Sequence, residues 1–398
     1  MNRRAEQLKN LVTGRLLKSS HAEATRSVAG RLGPKDVERA QERVKASILE
    51  LWTFEGDEPT EQHDATLNTV LADTRNVLHQ IIATPDAALS ADQTNALESV
   101  ILFNGSRPSI LMRDDDVPLD HPHAGEFADD FVRHRDAIKR VSQATGRIQP
   151  DRGGPGDFFG TGVLISASDR LVLTNRHVAH KIRRRTSTIS KYTGDSIEVY
   201  SGVTIDFAGE TRSGRKRVFK VVEMWPIDTV PRGYAQLDMA VLRLGEPIAA
   251  ATLPEPMLIR PDHDAELGAL GTTFAVGFPG RPPEYSGATG PLYEAAVEHA
   301  FGNRFGLKRI AVGKVTRRRG EVPKDPYDWL FGHDMSTLGG SSGSAVCSLD
   351  STGFCFGLHV AGANLKDTAR FNVAHGFTSP QVRQALEQMG FTLPQAHL

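Results

Sequence analysis

The chain has 398 residues, 39% of them hydrophobic and 24% charged. That is enough apolar material for a packed core, and it excludes wholesale disorder. Lysine plus arginine total 47 against 48 aspartate plus glutamate, a formal net charge of -1, which excludes a globally basic nucleic-acid coat protein but leaves local patches open. Length favours two or three domains, or one large domain with an extension. Cys347 and Cys355 are the two cysteines, too few for a disulfide framework or a four-cysteine zinc site. After Met1-Asn2-Arg3-Arg4, the charges of Glu6, Lys9, Arg15 and Lys18 interrupt any signal-peptide core. No apolar run is long enough to predict a membrane helix. The expected compartment is the cytoplasm, with both thiols reduced.

Up to about residue 150 the pattern is helical. From Pro34 to Trp52, the residues Val37, Ala40, Val44, Ile48, Leu51 and Trp52 recur at helical spacing, with Pro34 suited to a first turn. From Thr60 to Ala83, Leu67, Val70, Leu71, Val77, Leu78, Ile81 and Ile82 form a stripe that Pro85 stops. Ser90 and Gln93 make a capping box before Ala96, Leu97, Val100 and Ile101. A short strand is predicted over 109–112, a polar loop over 114–123, and a single helix over 128–143.

Past the breaker cluster Gly153, Gly154, Pro155 and Gly156, short apolar runs recur between turn signals. They lie at 163–165, 171–173, 197–200, 218–222, 240–242 and 274–276. This predicts an all-β barrel or sandwich, with a helix again near 380–389.

Three segments there carry chemistry. In the first, a strand leads through Thr174-Asn175-Arg176 into His177. In the second, Asp238 opens the apolar strand Met239-Ala240-Val241-Leu242. The third is Leu338-Gly339-Gly340-Ser341-Ser342-Gly343-Ser344-Ala345-Val346. Taken alone, the histidine reads better as a structural residue and the aspartate as a strand-edge group satisfied by backbone amides. The third segment could pass for a flexible linker, but the apolar run after it argues otherwise. Its glycines allow a tight turn with amides pointing inward, and a serine at its centre would be an exposed nucleophile beside an anion pocket.

Together, in this order, the segments are far more specific than any one of them. With Gly277-Phe278-Pro279-Gly280, Gly313-Lys314-Val315 and Gly357-Leu358-His359, the chain resembles the trypsin-like (chymotrypsin-fold) serine peptidases, and within them the bacterial glutamyl-endopeptidase type. The resemblance covers about residues 155–390. It implies a mainly β fold, a chymotrypsin-like double β-barrel preceded by an N-terminal helical region. The expected division is 1–125 as a helical regulatory or partner-binding region, 126–150 as helix and linker, and 151–398 as the protease domain.

The resemblance implies a triad of Ser342 as nucleophile, His177 as general base and acid, and Asp238 as its orienting carboxylate. The backbone amides of Gly340 and Ser342 would form the oxyanion hole. Ser341 and Ser344 compete as nucleophiles, and the motif alignment favours Ser342. The primary pocket would be lined by residues just before the nucleophile and along 358–362, including Gly362. Trypsin proper has an aspartate where this chain has Ser336, so selectivity for Arg or Lys from a buried carboxylate is not expected. Thr337 and His359 stand where glutamyl endopeptidases contact an acidic side chain. A hydroxyl and an imidazole both donate to a carboxylate, and a protonated ring adds charge. The alternative for His359 is a satisfied core histidine. Val360-Ala361 depart from the aromatic and glycine usual there. Ser341 stands where trypsin's activating aspartate would be, so that ion pair is not expected.

The expected activity is serine endopeptidase on polypeptide substrates, without cofactor or metal and with no membrane association. The N-terminal region is expected to regulate it or bind a protein partner, with a structural brace as the other possibility. The alternatives of another class are a catalytically silent protease-fold binding module and a basic-patch nucleic-acid-binding protein. The basic clusters are 183–185, 215–217 and 317–319, and no stacking aromatics interleave with them, which disfavours nucleic acid. Asp114, Asp115, Asp116, His121 and His123 fit no strong metal spacing. Cys347 and Cys355 are expected to face each other, reduced, across a hairpin turning at 350–353. The stretch after Ser342 is expected to finish the second barrel and to leave no room for an appended PDZ domain.

Overall fold

The computed structural model describes residues 107–184, 197–210, 217–226, 237–260, 272–282, 300–322, 325, 327–363 and 371–388, with 297 and scattered positions between 37 and 79. Those scattered positions are helical. Val37 and Val44, two turns apart, are buried, as is Leu67 on the second expected stripe. Gln41 Nε2 donates to Leu71 O at 2.7 Å and ties the two stretches together. The expected capping box at 90–93 lies outside the described residues.

The rest is mainly β. The first sheet contains β2 (Thr145–Pro150), β3 (Gly160–Ser166), β4 (Leu171–Thr174), β5 (Ile197–Glu198), β6 (Val203–Asp206), β7 (Val218–Pro226) and β8 (Ala240–Pro247). Its order is β5-β7-β6-β2-β3-β4-β8, and pairing of β7 with β8 closes six of these strands into a barrel. The second sheet contains β1 (Ser109–Leu111), β9 (Thr273–Gly277), β10 (Arg309–Gly313), β11 (Val315–Arg317), β12 (Leu330–His333), β13 (Ala345–Ser348), β14 (Cys355–Ala363) and β15 (Phe371–Gly376). Its order is β1-β10-β9-β13-β14-β15-β12-β11, an open half-barrel. Every run expected as a strand after residue 150 falls on one of these strands or directly against its end. The expected C-terminal helix is Pro380–Gln388.

Side-chain alternation builds the barrel wall. In β7, Phe219 and Val221 point inward, while Lys220 and Val222 point out. A bulge between Val221 and Glu223 then shifts the phase, so Met224 is the next residue buried. β3 is buried on nearly every residue because one face lines the barrel and the other meets the second sheet.

Residues 109–150, expected to lie ahead of the barrels, contribute to both. Ser109–Leu111 pairs with β10 at the edge of the second sheet, and Thr145–Pro150 sits between β3 and β6 inside the first. The single helix expected over 128–143 is two, α1 (Ala128–Arg133) and α2 (Arg135–Ala144), because His134 between them leaves helical geometry at φ -110°, ψ 19°. α2 buries Ala137, Ile138, Val141 and Ala144 along one stripe of the core.

A buried charge cluster joins this segment to the sheets. Lys308 Nζ, fully buried, donates to Asp115 Oδ1 at 3.0 Å, Ser142 O at 2.7 Å and Phe207 O at 2.6 Å. Arg217 Nη2 takes the other Asp115 oxygen at 2.5 Å. Burial alone would raise the Asp115 carboxyl, but Lys308 and Arg217 outweigh it and hold the group below its ordinary range. Asp115 and Arg217, read from sequence as part of a metal-like group and a basic cluster, are thus each other's partners.

The cysteine hairpin is as expected. Cys347 pairs with Cys355 across β13 and β14, and both are buried and free. Asp350 Oδ1 accepts from the main-chain N–H groups of Thr352 and Gly353 and fixes the turn.

Candidate active site

β4 ends at Thr174, and α3 (Arg176–Ile182) starts one residue later, after the extended Asn175. β4 and β8 pair in the register Thr174 to Ala240. That register carries Asp238 to the first turn of α3. Asp238 Oδ1 accepts the His177 main-chain N–H at 2.9 Å, and Oδ2 lies 2.7 Å from His177 Nδ1. The carboxylate therefore caps one of the unpaired amides at the helix start and orients the ring. Asn175 makes no cap of its own; its Nδ2 donates to Asp238 O at 2.9 Å. Burial would raise the Asp238 carboxyl, but bonds and charge from His177 hold it below the ordinary carboxylate range.

The second sheet reaches the same aspartate. His375 on β15 accepts the Asp238 main-chain N–H at its Nε2, at 3.1 Å. The ring is fully buried, and burial pushes its pKa down to about 4. It is neutral, with its proton on Nδ1, for which no acceptor exists among the described residues.

The glycine-flanked segment is a rigid turn rather than a linker. Gly340 and Gly343 have φ of +95° and +92°, a region that favours glycine. A Cβ at Gly343 would sit 2.0 Å from Thr161 O. The first sheet supports the turn from below: Thr161 N–H donates to Ser342 O at 2.9 Å and Thr161 Oγ1 to Gly340 O at 2.8 Å. The second sheet holds it from the side, through Gly343 N–H to His359 O and His359 N–H to Ser344 O. Among the described residues, no acceptor takes the Gly340 or Ser342 N–H. Ser342 keeps a little exposure at 8%, while Ser344 is sealed at 1% and packs on Gly277. The Ser342 hydroxyl donates to Val360 O at 2.9 Å and makes no hydrogen bond to His177.

The residues expected to read the substrate side chain are spread along the same edge. Thr337 is half-buried, and no hydrogen bond engages its hydroxyl among the described residues. Ser336 donates its hydroxyl to Arg107 O at 2.6 Å, so it serves the chain that precedes β1. Gly362 lies on β14 opposite Asn372. His359 is buried, and its Nδ1 meets His333 Nε2 at 3.0 Å. Burial first, and the neighbouring His177 second, push its pKa down to about 4. It is a neutral ring, without the standing positive charge that a protonated imidazole would bring.

Sequence reasoning did not single out His333, His375, Arg107 or Thr161, and it took Thr174 only as part of the run leading into His177. Thr174 Oγ1 holds Thr161 O at 2.7 Å under the turn. Apart from Arg107, which lies ahead of β1, these residues sit in ordinary strand patterns, and only pairing between distant strands brings them to the site.

Residues 160–358 match the family model of the trypsin-like peptidase domain. The chain is 35% identical over 313 residues to a probable serine protease of Lysobacter enzymogenes, a match covering 77% of this chain and 78% of the relative. The chain belongs to the trypsin-like serine peptidase family, a family of hydrolases. Among solved structures it is similar to the HtrA-type protease AlgW with a tripeptide, at 18% identity and a TM-score of 0.36, over 65% of this chain and 64% of that one. A variant of AlgW with the tripeptide aligns at 19% identity and the same score, over 65% of this chain and 62% of that one. The chain thus spans less than two thirds of the length of either structure.

Proposed function

We propose that the chain is a serine endopeptidase acting through Ser342, His177 and Asp238. The observation that carries this reading is the two-point pairing of His177 with Asp238 beside a rigid turn that leaves two amides uncommitted. The steps follow the general serine protease scheme. Ser342 Oγ attacks the scissile carbonyl. His177 Nε2 takes its proton and passes it to the leaving amine. Asp238 keeps the ring proton on Nδ1 and stabilises the imidazolium. The Gly340 and Ser342 N–H groups receive the oxyanion, and losing one such donor costs about 10²–10³ in rate. Water then repeats the sequence on the acyl-enzyme. At rest the Ser342 hydroxyl is held by Val360 O, so attack begins with rotation about its Cα–Cβ bond.

Thr337 and His359 favour an acidic side chain before the cut. With His333 Nε2–H donating to His359 Nδ1, the other His359 nitrogen carries its proton and remains to donate to the substrate. The N-terminal region, expected over 1–125, regulates the enzyme or binds a partner. The enzyme works in the cytoplasm with both cysteines reduced.

Mass-spectrometric profiling of cuts in a peptide library, with wild type beside Ser342→Ala, tests this. Cuts made by wild type alone support the serine mechanism, and enrichment of Glu or Asp before them supports the acidic preference. A catalytically silent binding module is the second reading, favoured by the Ser342–Val360 bond. Labelling of wild type by a fluorophosphonate probe, absent in Ser342→Ala, eliminates it.

A further inference from the structure

We propose that Arg107 is a positioning residue for the active site, clasping the 334–340 segment that leads into Ser342; this rests on the peptidase reading above. Arg107 lies two residues ahead of Ser109, the first residue of β1, and is 5% exposed. It touches the segment at two points. Its Nη2 donates to Asp334 Oδ2 at 2.5 Å, and its main-chain O accepts from Ser336 Oγ at 2.6 Å.

The clasp is built rather than incidental. The other Asp334 oxygen accepts the Lys314 main-chain N–H at 2.6 Å, so one carboxylate joins three stretches of chain. Gly313 makes room for it, because a Cβ there would lie 2.6 Å from Asp334 Oδ1 and 2.8 Å from Met335 N. β1 is anchored behind the clasp by its pairing with β10 and by Val312 N–H on Pro108 O. Downstream, Met335 O accepts from Asn372 Nδ2, while Thr337 has no side-chain tie among the described residues. The position of Thr337 is therefore inherited from the anchored residues 334–336, whereas the peptide carrying the Gly340 amide is also held directly, by Gly280 N–H on Gly339 O at 2.6 Å. A charge-assisted bond at a largely buried carboxylate is among the stronger such anchors.

The test uses the full chain. Arg107→Gln, Arg107→Lys, Asp334→Asn and the double variant Arg107→Gln/Asp334→Asn are compared with wild type. The readouts are kcat and KM on peptides differing at the residue before the cut, thermal melting, and amide hydrogen exchange over 334–341. For Arg107→Gln, kcat/KM falls about 10- to 100-fold with a changed preference before the cut, and exchange over 334–341 speeds up about tenfold. Arg107→Lys recovers part of both, and the double variant is no worse than the worse single one. Unchanged preference and exchange in folded Arg107→Gln overturn the proposal, as does an activity loss that merely follows the unfolded fraction. Should wild type neither cut peptides nor take up a fluorophosphonate at Ser342, the peptidase reading fails, and exchange alone decides the clasp. Faster exchange confined to 334–341 upholds it, and unchanged exchange refutes it.

Discussion

Asp238 grips His177 twice, with Oδ1 on the main-chain N–H at 2.9 Å and Oδ2 at 2.7 Å from the ring Nδ1. The two bonds separate in Asp238→Asn. The amide oxygen still serves the helix start, but the amide nitrogen faces the ring as a donor. Nδ1 must then accept, and the ring proton moves to Nε2, where it blocks uptake of the Ser342 proton. Turnover is expected to fall about 10⁴-fold, with the melting temperature changed by no more than a few degrees. Peptide kinetics beside thermal melting check this, and near wild-type turnover would remove Asp238 from the mechanism.

Gly343→Ala tests the turn itself. The substitution puts a side chain at φ +92°, where its Cβ would meet Thr161 O at 2.0 Å. Backbone strain of this kind costs about 1–3 kcal/mol, and the contact with a strand carbonyl adds to it. Gly339→Ala is the control, since a Cβ there meets nothing within 4 Å. Denaturant unfolding is expected to show a clear loss for the first, and a change within about 0.5 kcal/mol for the second. Equal effects would mean that the turn is not held as described.

The strands, the three chemical segments and the cysteine hairpin were legible because each is a local pattern. Val163, Val172 and Val241 announce strands by their neighbours, and Gly340 and Gly343 announce a turn. His134 interrupts a helix without any breaker residue, so α1 and α2 read as one. The role of Thr145–Pro150 was illegible for another reason: its place between β3 and β6 depends on which strands close the barrel. Asp115 illustrates the limit best. In sequence it stands only in a group with Asp114, Asp116, His121 and His123, whose residue types could bind a metal but whose spacing fits no strong metal signature. Its actual partners, Lys308 and Arg217, lie 193 and 102 positions away. His375 meets Asp238 across 137 positions, a distance no periodicity reports.

That distant cluster makes a stability prediction. Lys308→Met leaves Asp115 buried and without its fully buried cation. Breaking a buried pair from one side typically costs about 3–5 kcal/mol. Replacing both, as Lys308→Met with Asp115→Leu, removes the stranded charge and is expected to recover part of that loss. Urea unfolding of the two variants against wild type decides it. A single variant as stable as wild type would show that the cluster contributes nothing net.

Buried histidines set the response to acid. Burial holds His121 near 3, and His123, His359 and His375 near 4. In the unfolded chain a histidine titrates near 6.5. Between those values the unfolded chain binds protons that the folded chain refuses. Stability is therefore complete above about pH 6.5 and falls as pH drops toward 4, at up to about 1.4 kcal/mol per pH unit for each such group. Below the folded values the contribution stops changing. Urea midpoints at pH 7.5 and pH 5 are expected to differ strongly. His375→Gln offers an oxygen to the Asp238 N–H in place of Nε2 and does not titrate, so the pH slope should drop by the share of one proton. A slope that His375→Gln leaves untouched would mean that the ring is already charged in the folded chain, and that its nitrogen does not accept from Asp238.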